Sequence, residues 1–320
     1  MVFMYLQISS MAGRPETPVD ELCQMIVNGS DLQNIKSKVK SDVDVNSKSW
    51  KENTPLHCAI QNKRSDVIDF LIQTAGAKPT LDNLYAAIQK DLDLKLIKLM
   101  VDSGDLYVNE KNECGNTPSL CFAAQQNRLN IISYLIQDAA AKPTINDLCE
   151  IIHNGSGTDL QIIKSILDSG LDADEKGREG KTPLHHAVQR GRHELVDYMI
   201  QHSGASVDGR SLYDTTPLIE AVKSGSNELC EMLVVRHYAD ISLVDSAGRN
   251  AVMWASNFGR PQVLLMLINH GGLSLIDEVD YRGRTALMYA SDRPECVQIL
   301  LSCGADMQVK YLYIGALLDH

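Results

Sequence analysis

"GKTPLHHAVQRGRHELVDYMIQHSGA", residues 180–205, holds one complete folding unit. Thr182 stands where a helix N-cap belongs, and Pro183 follows at the first helical position, where a missing N–H leaves no bond unmade. A short helix is predicted through residues 184–189, followed by a turn at Gly191. A second helix carries Leu195, Val196, Met199 and Ile200 at helical spacing and stops at Gly204, a C-cap glycine. The same stretch displays Gly-Lys-Thr, the tail of a phosphate-binding loop, and a histidine pair that looks like part of a metal site.

Copies of this unit run along the chain. "NTPLHCAI" (53–60), "NTPSLCFAA" (116–124), "TTPLIEAV" (215–222), "NAVMWAS" (250–256) and "RTALMYA" (284–290) repeat its first helix. The capping position falls at Thr54, Thr117, Thr182, Thr216, Asn250 and Thr285, with gaps of 63, 65, 34, 34 and 35 residues. The two long gaps are double periods and each hides a variant unit. "TPVDELCQMI" begins at residue 17, "TLDNLYAAI" at 80 and "TINDLCEII" at 144. Variant units open with Thr-x-x-Asp or Thr-x-x-Asn, a capping-type start. About nine units therefore occupy residues 17–310. Helices this short cannot bury their own apolar faces, whereas stacked copies can. "NTPSLCFAA" carries one extra residue, expected at its helix start, and the last unit is two residues shorter, expected at its inter-helix turn.

Composition agrees. Hydrophobic residues make up 44 % and charged residues 22 % of 320 residues, as in a folded protein. Only four Phe and two Trp are present, so the core must come from Leu, Ile, Val and Ala. A net charge of −11 argues against nucleic acid or anionic membrane as the main partner. The eight cysteines form no CxxC pair and read as reduced thiols of an intracellular, cytoplasmic protein, a nuclear location being compatible. No apolar run reaches membrane-spanning length, so no membrane insertion is expected, and the start lacks the basic lead of a signal peptide. Met11 is an alternative start.

These residues resemble the ankyrin repeat, a helix–turn–helix unit of about 33 residues preceded by a β-turn finger. The resemblance implies an all-α solenoid of stacked units with short turn or hairpin fingers. It divides the chain into a poorly ordered extension over 1–16, one continuous repeat domain over 17–310, and a tail or partial repeat over 311–320. It also implies structural roles for the caps Thr54, Thr182, Thr216 and Thr285, and for His57 and His185, whose ring is buried in the family and hydrogen-bonds around the turn. A non-catalytic scaffold or adaptor, acting as a monomer on protein partners, is the implied function. A regulatory or substrate-recruiting arm of a larger enzyme or ubiquitin ligase is the alternative.

The enzyme signatures fail on spacing. A phosphate loop needs glycine at position 175, which is Glu175, and Pro183 removes an N–H where the phosphates would sit. His185 and His186 are consecutive on a helix, about 100° apart, so they cannot chelate one ion from one face. Neither a cofactor nor a metal is expected.

In the family, partners lie along finger tips and the exposed end of each first helix. Carried across, those positions are Trp50 and Lys51 in the first standard unit. The next standard unit contributes Glu113, Cys114 and Asn116. Arg178, Glu179, Lys181 and Arg190 follow in the sixth unit, and Tyr213 with Lys223 in the seventh. The last two units supply Arg249 and Phe258, then Tyr281, Arg282, Arg284 and Asp292. From the sixth unit onward this strip counts seven basic residues against two acids, Glu179 and Asp292, with three aromatics interleaved. An acidic or phosphorylated segment is the expected ligand.

Overall fold

The structure is a computed structural model that describes residues 16–41, 43–103, 106–111, 117–154, 160–177 and 180–308. The extension up to residue 15, the tail 311–320, the finger-tip residues Arg178 and Glu179, and Glu113, Cys114 and Asn116 lie outside the described residues. The protein is all-helical: among the described residues there is no β-strand, and the fingers are turns. The chain divides into two compact units, residues 1–142 and 143–320.

The first unit contains four helix pairs: α1 (Pro18–Val27) with α2 (Leu32–Val39), α3 (Pro55–Gln61) with α4 (Ser65–Gln73), α5 (Leu81–Gln89) with α6 (Leu94–Asp102), and α7 (Pro118–Gln125) with α8 (Leu129–Gln137). The first helices pack in sequence, α1 on α3, α3 on α5 and α5 on α7, and the second helices form a parallel row behind them. The second unit repeats the plan with α9 (Ile145–Asn154) and α10 (Leu160–Asp168), α11 (Pro183–Gln189) and α12 (His193–His202), and α13 (Pro217–Ser224) and α14 (Asn227–Glu231). It ends with α15 (Ala251–Asn257) and α16 (Pro261–Asn269), then α17 (Ala286–Tyr289) and α18 (Pro294–Ser302).

Leu56, Ile60, Ile68, Leu71, Leu84 and Ile97 illustrate the core of the first unit, and Leu184, Val188, Met199, Leu218, Val222 and Leu264 that of the second; all are buried. Among the described residues no Phe or Trp is buried, so the core is aliphatic but for Tyr134 and a few cysteines and methionines. Each such side chain contributes about 1.5–3 kcal/mol of transfer free energy.

Caps start the helices as the pattern requires. Thr54 Oγ1 accepts from His57 N–H at 3.2 Å, Thr216 from Ile219 at 3.3 Å and Thr285 from Met288 at 3.4 Å. The extra residue of "NTPSLCFAA" lengthens α7 to eight residues against seven in α3, and Thr117 Oγ1 turns to the Lys142 carbonyl, 3.4 Å away. In the last unit the two missing residues come out of the helix itself: α17 has only four residues. The expectation of a shortened turn is corrected accordingly.

Residue N3 of the first helix ties one pair to the next. His185 is fully buried; its Nδ1 accepts from the Thr182 N–H at 3.3 Å, and its Nε2–H donates to the Thr215 carbonyl at 2.8 Å. His57 differs. It is half-exposed, with Nε2 3.4 Å from Gln61 Nε2, and it does not hold the turn as the resemblance implied. In the first pair the acceptor equivalent to Thr215 O is Asn53 O, which faces Cys23 Sγ at 3.9 Å. In variant units N3 is an acid or amide, and at Asp20 the polarity of the link reverses. Asp20 accepts from Thr17 N–H and Oγ1 through one oxygen and from the Trp50 N–H of the next finger, at 2.8 Å, through the other. The Thr17 hydroxyl bond leads the interactions that hold its carboxyl below the ordinary range.

Each finger closes reciprocally. Asp245 N–H donates to Arg249 O at 3.0 Å while Gly248 N–H returns to Asp245 O at 2.8 Å; Ser49, Gly177, Ser211 and Asp280 head the same turn. The end of the second helix needs a left-handed residue, supplied by Gly204 at φ 73° but by Tyr238 at φ 57° one period later.

Burial depresses the His185 proton affinity, opposed by the Thr215 bond. With its folded value below the unfolded value of about 6.5, its contribution is complete above that pH and is lost as the pH falls toward the folded value. Thermal melts between pH 7.5 and 5 should therefore show falling stability, and His185→Gln should flatten that slope. Tyr238→Gly should raise the melting temperature by about 1–3 °C, since relief of a left-handed β-carbon, about 1–2 kcal/mol, exceeds the glycine entropy penalty.

Candidate interaction surface

Finger tips and a first-helix end of the second unit carry three exposed aromatic side chains. Tyr213 and Tyr281 sit on fingers and are 66 % and 70 % exposed, and Phe258, at the end of α15, is 39 % exposed. Neighbouring fingers join through their backbones: Ser246 N–H donates to Tyr213 O at 2.9 Å, and Tyr281 N–H to Ala247 O at 3.1 Å. A Cβ at Gly180 would lie 2.8 Å from the Leu212 nitrogen, and one at Gly248 2.9 Å from the Tyr281 nitrogen. The Gly-Lys-Thr sequence is thus a finger turn pressed against its neighbour, running into the Thr182 cap.

Below the fingers, two buried carboxylates organise the surface. Asp280 accepts from the Arg282 and Arg284 N–H groups through Oδ1, at 2.9 and 2.8 Å. Its Oδ2 receives Arg284 Nε and Nη2 at 3.0 and 2.8 Å and the Tyr289 hydroxyl at 2.7 Å. Burial alone would raise this carboxyl, but the Tyr289, Arg284 and Arg282 bonds outweigh it and hold it low. The Asp280 bond raises Arg284 in turn, and burial followed by the same carboxylate pushes Tyr289 up to about 12. The Arg284 guanidinium lies 4.6 Å from the Tyr289 ring centroid.

Asp245 repeats the device one unit earlier. It binds Arg249 Nε at 2.9 Å, Nη2 at 2.8 Å and Trp254 Nε1 at 3.0 Å. Arg249 stacks 4.0 Å over Trp254, which stacks in turn on Phe258 with centroids 5.5 Å apart. Lys223 pairs with the buried Glu220 at 3.2 Å and lies 5.3 Å from the Trp254 ring.

The basic strip read from sequence is therefore partly neutralised from within. Lys223, Arg249 and Arg284 each face a carboxylate of their own helix or finger. Arg190 and Arg282 are exposed, and Lys181 is half-buried at a cleft of about 310 Å³ shared with Cys149, Glu150, His153 and His186. In the first unit, Trp50 is 52 % exposed with Lys51 Nζ 4.7 Å over its ring. Sequence reasoning missed Asp245, Asp280, Trp254 and Tyr289. The signal was present as "DSAGR" (245–249) and "DYRGR" (280–284), each followed by an aromatic nine positions after its Asp. Among the described residues no cluster of three metal-ligating side chains occurs, and no helix is long and apolar enough to cross a membrane.

Repeated capped helix pairs joined by stacked fingers define a repeat-solenoid protein. The family model for ankyrin repeats in three copies matches residues 151–245 and 235–311, and the single ankyrin repeat model matches 51–84. The chain belongs to the ankyrin repeat family. It is 31 % identical over 280 residues to the human transient receptor potential cation channel subfamily A member 1, covering 81 % of this chain and 24 % of the channel. It is 29 % identical over 185 residues to a putative ankyrin repeat protein of fowlpox virus, covering 54 % of this chain and 29 % of the relative. A putative ankyrin repeat protein of Rickettsia felis is 25 % identical over 170 residues, 49 % of this chain and 43 % of its own length. The chain thus spans less than half the length of each of these relatives.

Replacing Asp280 with Asn leaves Arg284 and two N–H groups facing a neutral amide. This should destabilise the second unit by about 2–4 kcal/mol at pH 7 in urea titrations. The folded value of Asp280 is depressed, so its stabilisation is complete above the unfolded value of about 4 and disappears as the pH falls through the folded value. The gap between wild type and variant should accordingly narrow as the pH falls below about 4.

Proposed function

We propose that this chain is a non-catalytic interaction module, a scaffold or adaptor, that holds a segment of a partner protein along the fingers and first helices of its second unit. The observation that carries this reading is the set of exposed rings, Tyr213 and Tyr281 on fingers that join backbone to backbone and Phe258 at the end of α15. Large, rigid aromatic side chains make good anchors at low entropic cost. The segment is acidic or phosphorylated, met by Arg190, Arg282, Lys181 and, from its register in the repeat, Arg178, with Glu179 excluding anions at its own position. Arg249, Arg284 and Lys223 contribute as cation faces stacked on Trp254 and Tyr289. Trp50 and Lys51 offer a second anchor in the first unit.

A second reading is a regulatory or substrate-recruiting arm within a longer protein. It is favoured by the 24 % of the human channel and 29 % of the viral relative that the matching segments occupy.

The test separates recognition from folding. Arg282→Glu with Arg190→Glu leaves both Asp centres intact, whereas reversal at Arg249 or Arg284 would break them. Binding of arrayed acidic and phosphorylated peptides, read by fluorescence anisotropy, should weaken at least about tenfold in the double variant, the loss of about 1.4 kcal/mol or more. Tyr213→Ala with Tyr281→Ala should weaken it similarly with an unchanged melting temperature. Equal affinity of wild type and both variants would sink this reading.

A further inference from the structure

Outside the aromatic surface, the first unit contains a pair of cysteines that the scaffold role does not use. Cys23 on α1 and Cys58 on α3 are buried side chains on helices packed directly against each other. Each thiol acts on the ionisation of the other, and the Cys23 Sγ lies 3.9 Å from the carbonyl oxygen of Asn53, just before α3. Both line the floor of an open cleft of about 240 Å³ whose rim includes Asp20, Trp50, Lys51, Asn53 and His57. The pair is therefore reachable from solvent although each side chain is largely covered.

The surroundings make the two sulfurs unequal. Cys58 is held below its ordinary range first by its interaction with the Cys23 thiol, which outweighs burial, and further by the Lys51 ammonium. Cys23 is raised first by its interaction with Cys58 and then by burial. Elsewhere burial pushes Cys149 and Cys230 up to about 12. A thiolate beside a cation, accessible through a cleft and backed by a second thiol, is the arrangement in which thiol–disulfide exchange is fast.

We propose that Cys23 and Cys58 form a thiol–disulfide exchange site whose substrate is a low-molecular-weight disulfide such as oxidised glutathione. The Cys58 thiolate attacks one sulfur of the disulfide. A new S–S bond joins Cys58 to one glutathione as the reagent's own S–S bond breaks and the other glutathione leaves as thiolate. Cys23 then loses its proton to the departed thiolate and attacks the Cys58 sulfur. The Cys58–glutathione bond breaks, the second glutathione leaves, and a Cys23–Cys58 bond remains. Two protein thiols are oxidised and one external disulfide is reduced to two thiols. The product staples the first helix pair to the second across a loop of about the length for which a disulfide restricts the unfolded chain by several kcal/mol.

The full chain is incubated with oxidised glutathione, remaining thiols are alkylated, and peptides are mapped without reduction at successive times. The expected result is a Cys23–Cys58 cross-link that forms at least about tenfold faster than any adduct on Cys149 or Cys230. Cys23→Ser should stop at glutathione attached to Cys58, and Cys58→Ser should leave Cys23 reduced. Wild-type measurements decide the matter without relying on the variants. Modification of Cys58 no faster than that of Cys230, or a wild-type mixed disulfide that never resolves to the cross-link, would overturn the proposal.

Discussion

Two helices of seven to ten residues, such as α11 and α12, cannot cover their own apolar stripe, and every other feature of this molecule follows from that shortage. Leu184, Val188 and Met199 are fully buried only because neighbouring pairs close over them. Stacking brings polar backbone against polar backbone at each junction, and those groups must be matched. Residue N3 does this: His185 donates to the Thr215 carbonyl of the next pair, and Asp20 accepts from the Trp50 N–H of the next. The two chemistries solve equivalent junctions with opposite polarity.

The fingers depend on this stacking in turn. Their reciprocal backbone bonds set a four-residue turn, and the buried carboxylates of Asp245 and Asp280 fix the last two turns by binding two backbone N–H groups, an arginine and an aromatic side chain each. Cations that look available for a ligand are thereby held to their own scaffold. What such a surface offers outward is the faces of rings and flat guanidinium groups more than net charge.

Much of the fold was legible from the chain alone. Thr-Pro at the start of first helices, apolar residues at helical spacing and a left-handed residue at helix ends are local signals, and local signals survive without knowledge of neighbours. The site was legible only in part. Tyr213, Phe258 and Tyr281 were identified as exposed and they are, because a position on a finger tip or helix end follows from register within the repeat. The charge count on the same strip misled, since Arg249 and Arg284 were weighed without the Asp four residues before each. His57 was read by analogy with His185, yet the two rings have different neighbours in the following unit, a standard one after His185 and a variant one after His57.

The amino-acid sequence by itself determined the repeating helix pair, its caps and its turns, because N-caps, proline at N1 and left-handed residues act within a few residues of chain. Tertiary structure alone decided which charges are free, which histidine is buried, and that Cys23 and Cys58, 35 positions apart, line one cleft. Those outcomes depend on which side chain of the next pair arrives opposite, and stacking, not local propensity, sets that encounter.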